Sequence, residues 1–195
     1  MVLYFDTETS GLSPGHICQL SYIMQNGKEE QAKNFFFTVP YVDYNAYLVH
    51  GFSVEKLKLL SNGKTFADSI DEIEKDFSSA DVIVAHNFTF DSMFLRSEFE
   101  RLSKTFTFNN GFCSMKKSTP ICRLEKARGI GYKYPSLTEL TDYFGISHLS
   151  ISDKTEKLFL TDVNFHDARF DTVAMYLALN CGIDKGLYQE LQEHI

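Results

Sequence analysis

Val2-Leu3-Tyr4-Phe5 is apolar at four successive positions and ends on Asp6. Successive side chains of an extended segment face opposite ways, so a short run that is apolar on both faces reads as a buried strand, here at residues 2–6. Asp81-Val82-Ile83-Val84-Ala85-His86 repeats the pattern and is followed by a helical one over 91–103, with Phe94, Leu95, Phe99 and Leu102 inward. This is a strand-to-helix crossover. Between the two runs, Ile17–Met24 and Ala32–Val39 read as strands, and Asn26-Gly27 between them is a strong hairpin turn signal. A meander first, then strands alternating with helices, predicts an α/β fold with a sheet of mixed direction.

The remaining periodicities fit that frame. Residues 41–60 read as loop and short helix, and Ser69–Phe77 as an amphipathic helix with Ile70, Ile73 and Phe77 on one side. A further strand falls within 105–115. Ser136, with Glu139 three residues on, forms a capping-box pattern for a short helix that ends at Gly145. The last strong helix runs over 167–180, with Cys181-Gly182 as its stop, and Leu187, Leu191 and Ile195 continue a final turn. At 195 residues the chain suits one domain, 1–195. No stretch approaches the roughly 18 uninterrupted apolar residues of a membrane span. Asp6 interrupts the first apolar run too early for a signal-peptide core, and the cytoplasm is the expected compartment. Cys18, Cys113, Cys122 and Cys181 lack Cys-x-x-Cys spacing, so they indicate neither a zinc site nor a disulfide framework.

Three places concentrate chemistry. Asp6 and Glu8, two residues apart, project to one side at the end of a buried strand, where α/β sheets gather ligands. Alone, such a pair would only solubilise a strand end. His86-Asn87-Phe88-Thr89-Phe90-Asp91 puts Asp91 in the first turn of a helix, where an acid also favours the helix dipole. In His166-Asp167-Ala168-Arg169-Phe170-Asp171, five steps of about 100° put His166 and Asp171 on different faces of a regular helix. His166 therefore belongs to the loop before the helix, Asp167 is a candidate cap, and Asp171 faces inward and needs a partner.

These blocks carry a resemblance. Asp6-Thr7-Glu8-Thr9-Ser10-Gly11-Leu12, His86–Asp91 and His166–Asp171, in that order, resemble the three motifs of the DEDDh 3′-to-5′ exonucleases. That group includes polymerase proofreading epsilon subunits, ribonuclease T and oligoribonuclease. Val49-His50-Gly51-Phe52-Ser53 is similar to the His-Gly-Ile-Thr loop between the first two motifs. Phe88 and Thr172 stand where alanine is usual in the family, departures that bear on substrate fit rather than on the acids.

The resemblance implies a ribonuclease-H-like mixed five-stranded sheet, an antiparallel meander followed by parallel strands, flanked by helices. It also implies that Asp6, Glu8, Asp91 and Asp171 converge. Four crowded carboxylates cannot all stay ionised without cations, and oxygen ligands favour two divalent ions, Mg²⁺ or Mn²⁺. His166 would be the general base, since imidazole titrates near neutrality. Thr9, Gly11, Leu12, His50, Asn87 and Phe90 are the implied substrate contacts, although Asn87 could equally cap a helix and a phenylalanine is more often core.

The implied activity is metal-dependent hydrolysis at the 3′ ends of single-stranded or frayed nucleic acid, DNA ahead of RNA, releasing 5′-mononucleotides. A DNA polymerase is a further candidate partner, although only a short helical segment follows the third motif. The net charge of −7 argues against a protein that coats phosphates with cations. Two divalent ions at four site acids would leave about −3. Between Lys116 and Lys133, six cations face Glu125 alone; a solvated loop and a nucleic-acid track explain them equally well. Arg169 could touch phosphate or solvent. His16, His148 and His194 read as structural. The alternative function is a non-catalytic module binding nucleic acid or a polymerase on the same fold; a strand-transfer nuclease is a more distant third, because it would not use the His-x-x-x-x-Asp block.

Overall fold

The computed structural model describes residues 1–195. A five-stranded sheet has the order β3-β2-β1-β4-β5. Strand β1 (Val2–Thr9) pairs antiparallel with β2 (Ile17–Asn26), which pairs antiparallel with β3 (Glu29–Phe36). On its other side β1 runs parallel to β4 (Val82–Ala85), and β4 parallel to β5 (Gly111–Cys113). The expected meander and parallel strands are thus present. The hairpin turn is where Asn26-Gly27 predicts it: Asn26 pairs with Glu29, and Gly27 takes the left-handed φ of +59°.

Side-chain alternation along β1 splits the core in two. Leu3 and Phe5 join Ile83 and Ala85 in a cluster with α3 (Ile70–Ser79) and α4 (Phe88–Arg101). Val2 and Tyr4 join Val82 and Val84 in a cluster on the other face, with α6 (Leu137–Phe144), α7 (His148–Phe159) and α8 (Ala168–Asp184). Each face carries its own helical layer, which is why both short runs are apolar throughout. The chain between β3 and α3 holds two short helices, α1 (Tyr44–His50) and α2 (Val54–Leu60).

Several boundaries differ from the sequence expectation. Strand β1 runs on to Thr9, held by pairs through Glu8 with Gln19 before a register break. Strand β3 lies at 29–36 rather than 32–39, and α4 begins at Phe88, with Asn87 at its cap position. Gly182 does not stop α8, which continues to Asp184. The glycine is there for room: a Cβ would lie 2.4 Å from the Tyr188 ring and 3.1 Å from Phe144. The chain reverses at Gly186 instead, with φ +75°, and leads into α9 (Gln189–Gln192). Helix α5 (Ser114–Cys122) has no counterpart in the sequence reading, because its buried stripe is Ser114, Ser118 and Cys122, not an apolar one, and it contains Pro120. Helix α7, also unforeseen, fully buries only Ile151 and Thr155. No helix is long and apolar enough to cross a membrane.

Candidate active site

Asp6 and Glu8 occupy the even positions of β1 and so continue the face of Val2 and Tyr4, towards α8. Helix α8 meets them with Asp171, and one carboxylate oxygen from each of the three lies within 4.8 Å of the others. The start of α8 is fixed by β2. Gln19, paired with Glu8 in the sheet, accepts from the Ala168 N–H at 3.1 Å and donates Nε2 to Asp167 at 2.9 Å. Asp167 caps the helix as expected, accepting from the Arg169 N–H. Gln19 is fully buried and was missed in the sequence; its signal was a lone amide inside the apolar run 17–24.

Asp91 arrives from the opposite layer. Thr7, an odd position of β1, faces α4 and donates Oγ1 to the Asp91 Oδ1 at 2.7 Å. One strand therefore serves both layers: its even residues meet Asp171, and its odd residue holds Asp91, which lies outside that close group of three but near enough for its charge to act on Asp6 and Glu8.

Burial raises all four carboxyls, and the charges of neighbouring acids add to it at Asp6, Glu8 and Asp171. Burial, then the charges of Asp91, Asp171 and Glu8, push the Asp6 carboxyl well above its ordinary range. Burial and the neighbouring Asp171, Asp167 and Asp91 do the same to Glu8. Burial raises Asp91 to about 7 against the hydrogen bond from Thr7. It raises Asp171 to about 7 against the one from the His166 backbone. Asp171 Oδ2 accepts that N–H at 3.2 Å, whereas Oδ1 is buried with no hydrogen-bond partner. A buried carboxylate oxygen without a partner, on a residue grouped with two other acids, is satisfied either by a proton or by a hard divalent cation.

His166 lies on the loop before α8, exposed, with a left-handed φ of +66°. Only its backbone is tied down, to Asp171. Its neighbour Arg169 is engaged elsewhere: Nε and Nη2 bind Asp167 at 2.8 and 2.7 Å, and the guanidinium lies 5.3 Å from the Phe36 ring centre.

A cavity of about 710 Å³ opens beside Glu8. Thr9, Gly11, Leu12, His50 and Phe90 line it, five of the six expected substrate contacts. Asn87 does not; it is exposed at the cap position of α4, without a capping hydrogen bond. Leu12 is 83% exposed at the rim. His50 is buried with both nitrogens in use: Nδ1 accepts from the Phe52 N–H, which leaves Nε2–H to donate to the Thr9 carbonyl at 3.1 Å. Gly11 permits the close approach of Asp43, whose carboxylate oxygen would lie 2.2 Å from a Cβ. The far wall, from Asp43 to Ala46, is α1 and its cap, which carried no motif to flag it.

The two departures from the family pattern lie in packing. Phe88 meets Phe5 and Phe108 edge-on, and the fully buried Thr172 donates its hydroxyl to the Ala168 and Ser21 carbonyls. His16 lies 3.5 Å from Glu98, His148 binds Asn164, and His194 lies near Asp81.

No family model matches the chain. Among curated proteins it is similar to the DNA polymerase III subunit epsilon of Rickettsia conorii, 37% identical over 109 residues, covering 53% of this chain and 46% of the relative. The subunits of the same name in Rickettsia felis and Rickettsia prowazekii are 36% and 35% identical over 108 and 109 residues; the matches cover 52% and 53% of this chain and 45% and 46% of theirs. The chain thus matches about half the length of these relatives. Among solved structures, the metal-free form of an E. coli ExoI–ssDNA complex superposes with a TM-score of 0.64 at 17% identity, covering 94% of this chain and 40% of that one. That likeness bears out the ribonuclease-H-like sheet. The chain is similar to epsilon subunits in sequence and to ExoI in fold, and its resemblance to the DEDDh exonucleases rests on both as well as on its three acidic blocks.

Proposed function

We propose that residues 1–195 form a single exonuclease domain that removes 5′-mononucleotides from the 3′ ends of single-stranded or frayed DNA in the cytoplasm. The observation that carries this reading is the group formed by Asp6, Glu8 and Asp171, with a buried oxygen of Asp171 left without a partner and Asp91 held beside it by Thr7. Asp6, Glu8, Asp91 and Asp171 would hold two divalent cations, Mg²⁺ or Mn²⁺. Such ions, when bound, activate the attacking water and stabilise the charge that grows on the leaving oxygen.

The chain's own residues supply the rest. Water bonds to phosphorus as the bond to the 3′ oxygen of the preceding nucleotide breaks, so a proton must leave the water and another, from solvent, must reach the departing 3′ oxygen. His166 accepts the water's proton, from a loop that is anchored to Asp171 only through its backbone, and gives it up to solvent between turnovers. The terminal nucleotide occupies the cavity beside Glu8, whose size suits a small ligand. Leu12 wedges against the last base and Phe90 offers a ring face, contacts that tolerate any base. His50, with both nitrogens engaged, holds the Thr9 carbonyl in place and presents its ring to the cavity rather than a donor. The relatives are named as subunits of a DNA polymerase, which favours DNA as the substrate and a polymerase as a partner.

The test is digestion of a 5′-labelled single-stranded oligonucleotide with Mg²⁺ or Mn²⁺. The wild type should shorten it from the 3′ end with release of mononucleotides, and Asp91→Ala should abolish this. No release by the wild type, or undiminished release by the variant, ends the proposal.

A further inference from the structure

The cationic segment after β5 has no role in the chemistry above. Its centre is a protruding hairpin. Glu125 bridges Tyr132, Lys126 N donates to the Gly131 carbonyl and Lys133 N to that of Leu124. Gly129 and Gly131, at φ +86° and +98°, turn the tip. Of the six cations, Lys117 is paired with Glu190 and Lys133 with Glu139. Lys126 and Arg128, at the tip, are exposed and pair with no acid. Beside them Ile130 is 99% exposed, and Tyr132 and Tyr134 are exposed along the flank.

The root of this hairpin is tied to the end of the sheet that carries the acids. In the parallel pairing of β1 and β4, Tyr4 aligns with Val84, so Asp6 and His86, two residues further on, lie at one level. His86 donates Nε2–H to the Pro135 carbonyl at 3.1 Å and accepts from the Ser114 hydroxyl at 2.9 Å. It thereby anchors both the end of the hairpin and the start of α5. On the same side, Lys116 reaches the Thr89 hydroxyl, next to Phe90 of the cavity, at 3.4 Å.

We propose that this hairpin is a second nucleic-acid contact, a clamp on the strand upstream of the terminal nucleotide. Lys126 and Arg128 meet phosphates, and the tyrosine faces meet bases. This inference rests on the exonuclease reading for its substrate, and the geometry adds where the rest of the strand lies. Unpaired cations interleaved with exposed rings suit a single strand, whose phosphates and bases are both accessible. They stand out on a chain of net charge −7, where a general attraction to phosphate is absent.

The experiment compares wild type with the double variant Lys126→Gln/Arg128→Gln. A control, Lys28→Gln/Lys185→Gln, removes two cations at the opposite end of the sheet, at the β2–β3 turn and after α8. Binding of a fluorescent single-stranded 20-mer is measured in EDTA across a salt series, and digestion of the 20-mer and of a trinucleotide in Mg²⁺. The hairpin variant should bind the 20-mer about tenfold more weakly at low salt, with the slope of log affinity against log salt shallower by about 1.4 for two lost phosphate contacts. It should cut the trinucleotide at the wild-type rate, and the control should keep the wild-type slope. An unchanged slope in the hairpin variant, an equal change in the control, or an equal loss on trinucleotide and 20-mer overturns the clamp. If the wild type cuts neither substrate but the slope still falls only in the hairpin variant, the clamp stands and the nuclease reading fails.

Discussion

Asp171→Asn should make the cation-free protein more stable, and by an amount that grows with pH. Burial lifts the Asp171 carboxyl from its ordinary 3.8 to about 7. Each tenfold step in that equilibrium corresponds to 1.36 kcal/mol, so an ionised Asp171 costs the fold about 4 kcal/mol above pH 7. Asp171 is partly open to solvent and shares the repulsion with Asp6 and Glu8, which lowers the expected gain to about 2–4 kcal/mol. The sign follows from a folded-state carboxyl that binds its proton more tightly than the unfolded one. The penalty is absent below about pH 4, builds as pH rises through the window between 3.8 and about 7, and is complete above it. Asparagine keeps an oxygen to accept the His166 N–H and adds an amide that can donate to the neighbouring acids. Urea unfolding in EDTA at pH 8 should therefore show the full gain, and at pH 5 less than half of it. The melting temperature at pH 8 should rise on the order of 10 °C. Mg²⁺ should stabilise the wild type at pH 8 and the variant much less. A variant no more stable than wild type at pH 8, or a gain that is equal at both pH values, would refute the penalty for a buried, ionised Asp171 on which the metal site is argued.

Other substitutions probe separate parts of the account. Thr7→Val removes the hydroxyl that holds Asp91 and should weaken Mn²⁺ affinity by about tenfold in calorimetric titration, with the melting temperature in EDTA little changed; unaltered affinity would release Thr7 from this role. Gly182→Ala, normally a gain inside a helix, should instead destabilise by about 1–3 kcal/mol because its Cβ meets the Tyr188 ring at 2.4 Å; a variant as stable as wild type in urea would contradict that packing. Burial lowers the His86 pKa to about 4, so the unfolded chain takes the proton first and stability falls by about 3 kcal/mol as pH drops from 6.5 to 4. His86→Gln should remove this component, seen as the difference between the two stability–pH curves; parallel curves would show that His86 titrates freely. Ser136→Ala should cost about 1 kcal/mol in thermal unfolding, through loss of the capping box at α6; no change would mean that the helix end is held by packing alone.

The central sheet was legible because its signals are local and chemically blunt. Val2–Phe5 and Val82–Ala85 are apolar on both faces, and Asn26-Gly27 has few uses other than a hairpin turn. Asp6 and Glu8 declared a shared face through the period of a strand, and the angular argument placed His166 on a loop, where it lies. What stayed hidden depends on partners distant in sequence. Helix α5 buries serines and a cysteine that no apolar periodicity reports. Gly182 reads as a helix stop until the Tyr188 ring is set against it. Gln19 orients α8 from 148 residues away, and its one local signal, an amide within an apolar run, does not say which partner it holds. The division of labour along β1, with Thr7 serving Asp91 and its even neighbours serving Asp171, appears only once the two helical layers are in place. Of the two readings of Asn87, substrate contact or helix cap, its place is the cap position of α4, exposed and outside the lining of the cavity beside Glu8.

The most direct test is a crystal of the wild-type protein soaked in Mn²⁺, with anomalous scattering used to locate the ions. The account predicts two peaks among the carboxylates of Asp6, Glu8, Asp91 and Asp171, one of them within bonding distance of Asp171 Oδ1, and none in a crystal of Asp171→Asn at the same occupancy. Peaks confined to surface acids, or four carboxylates that keep their positions with no ion between them at saturating Mn²⁺, would contradict it.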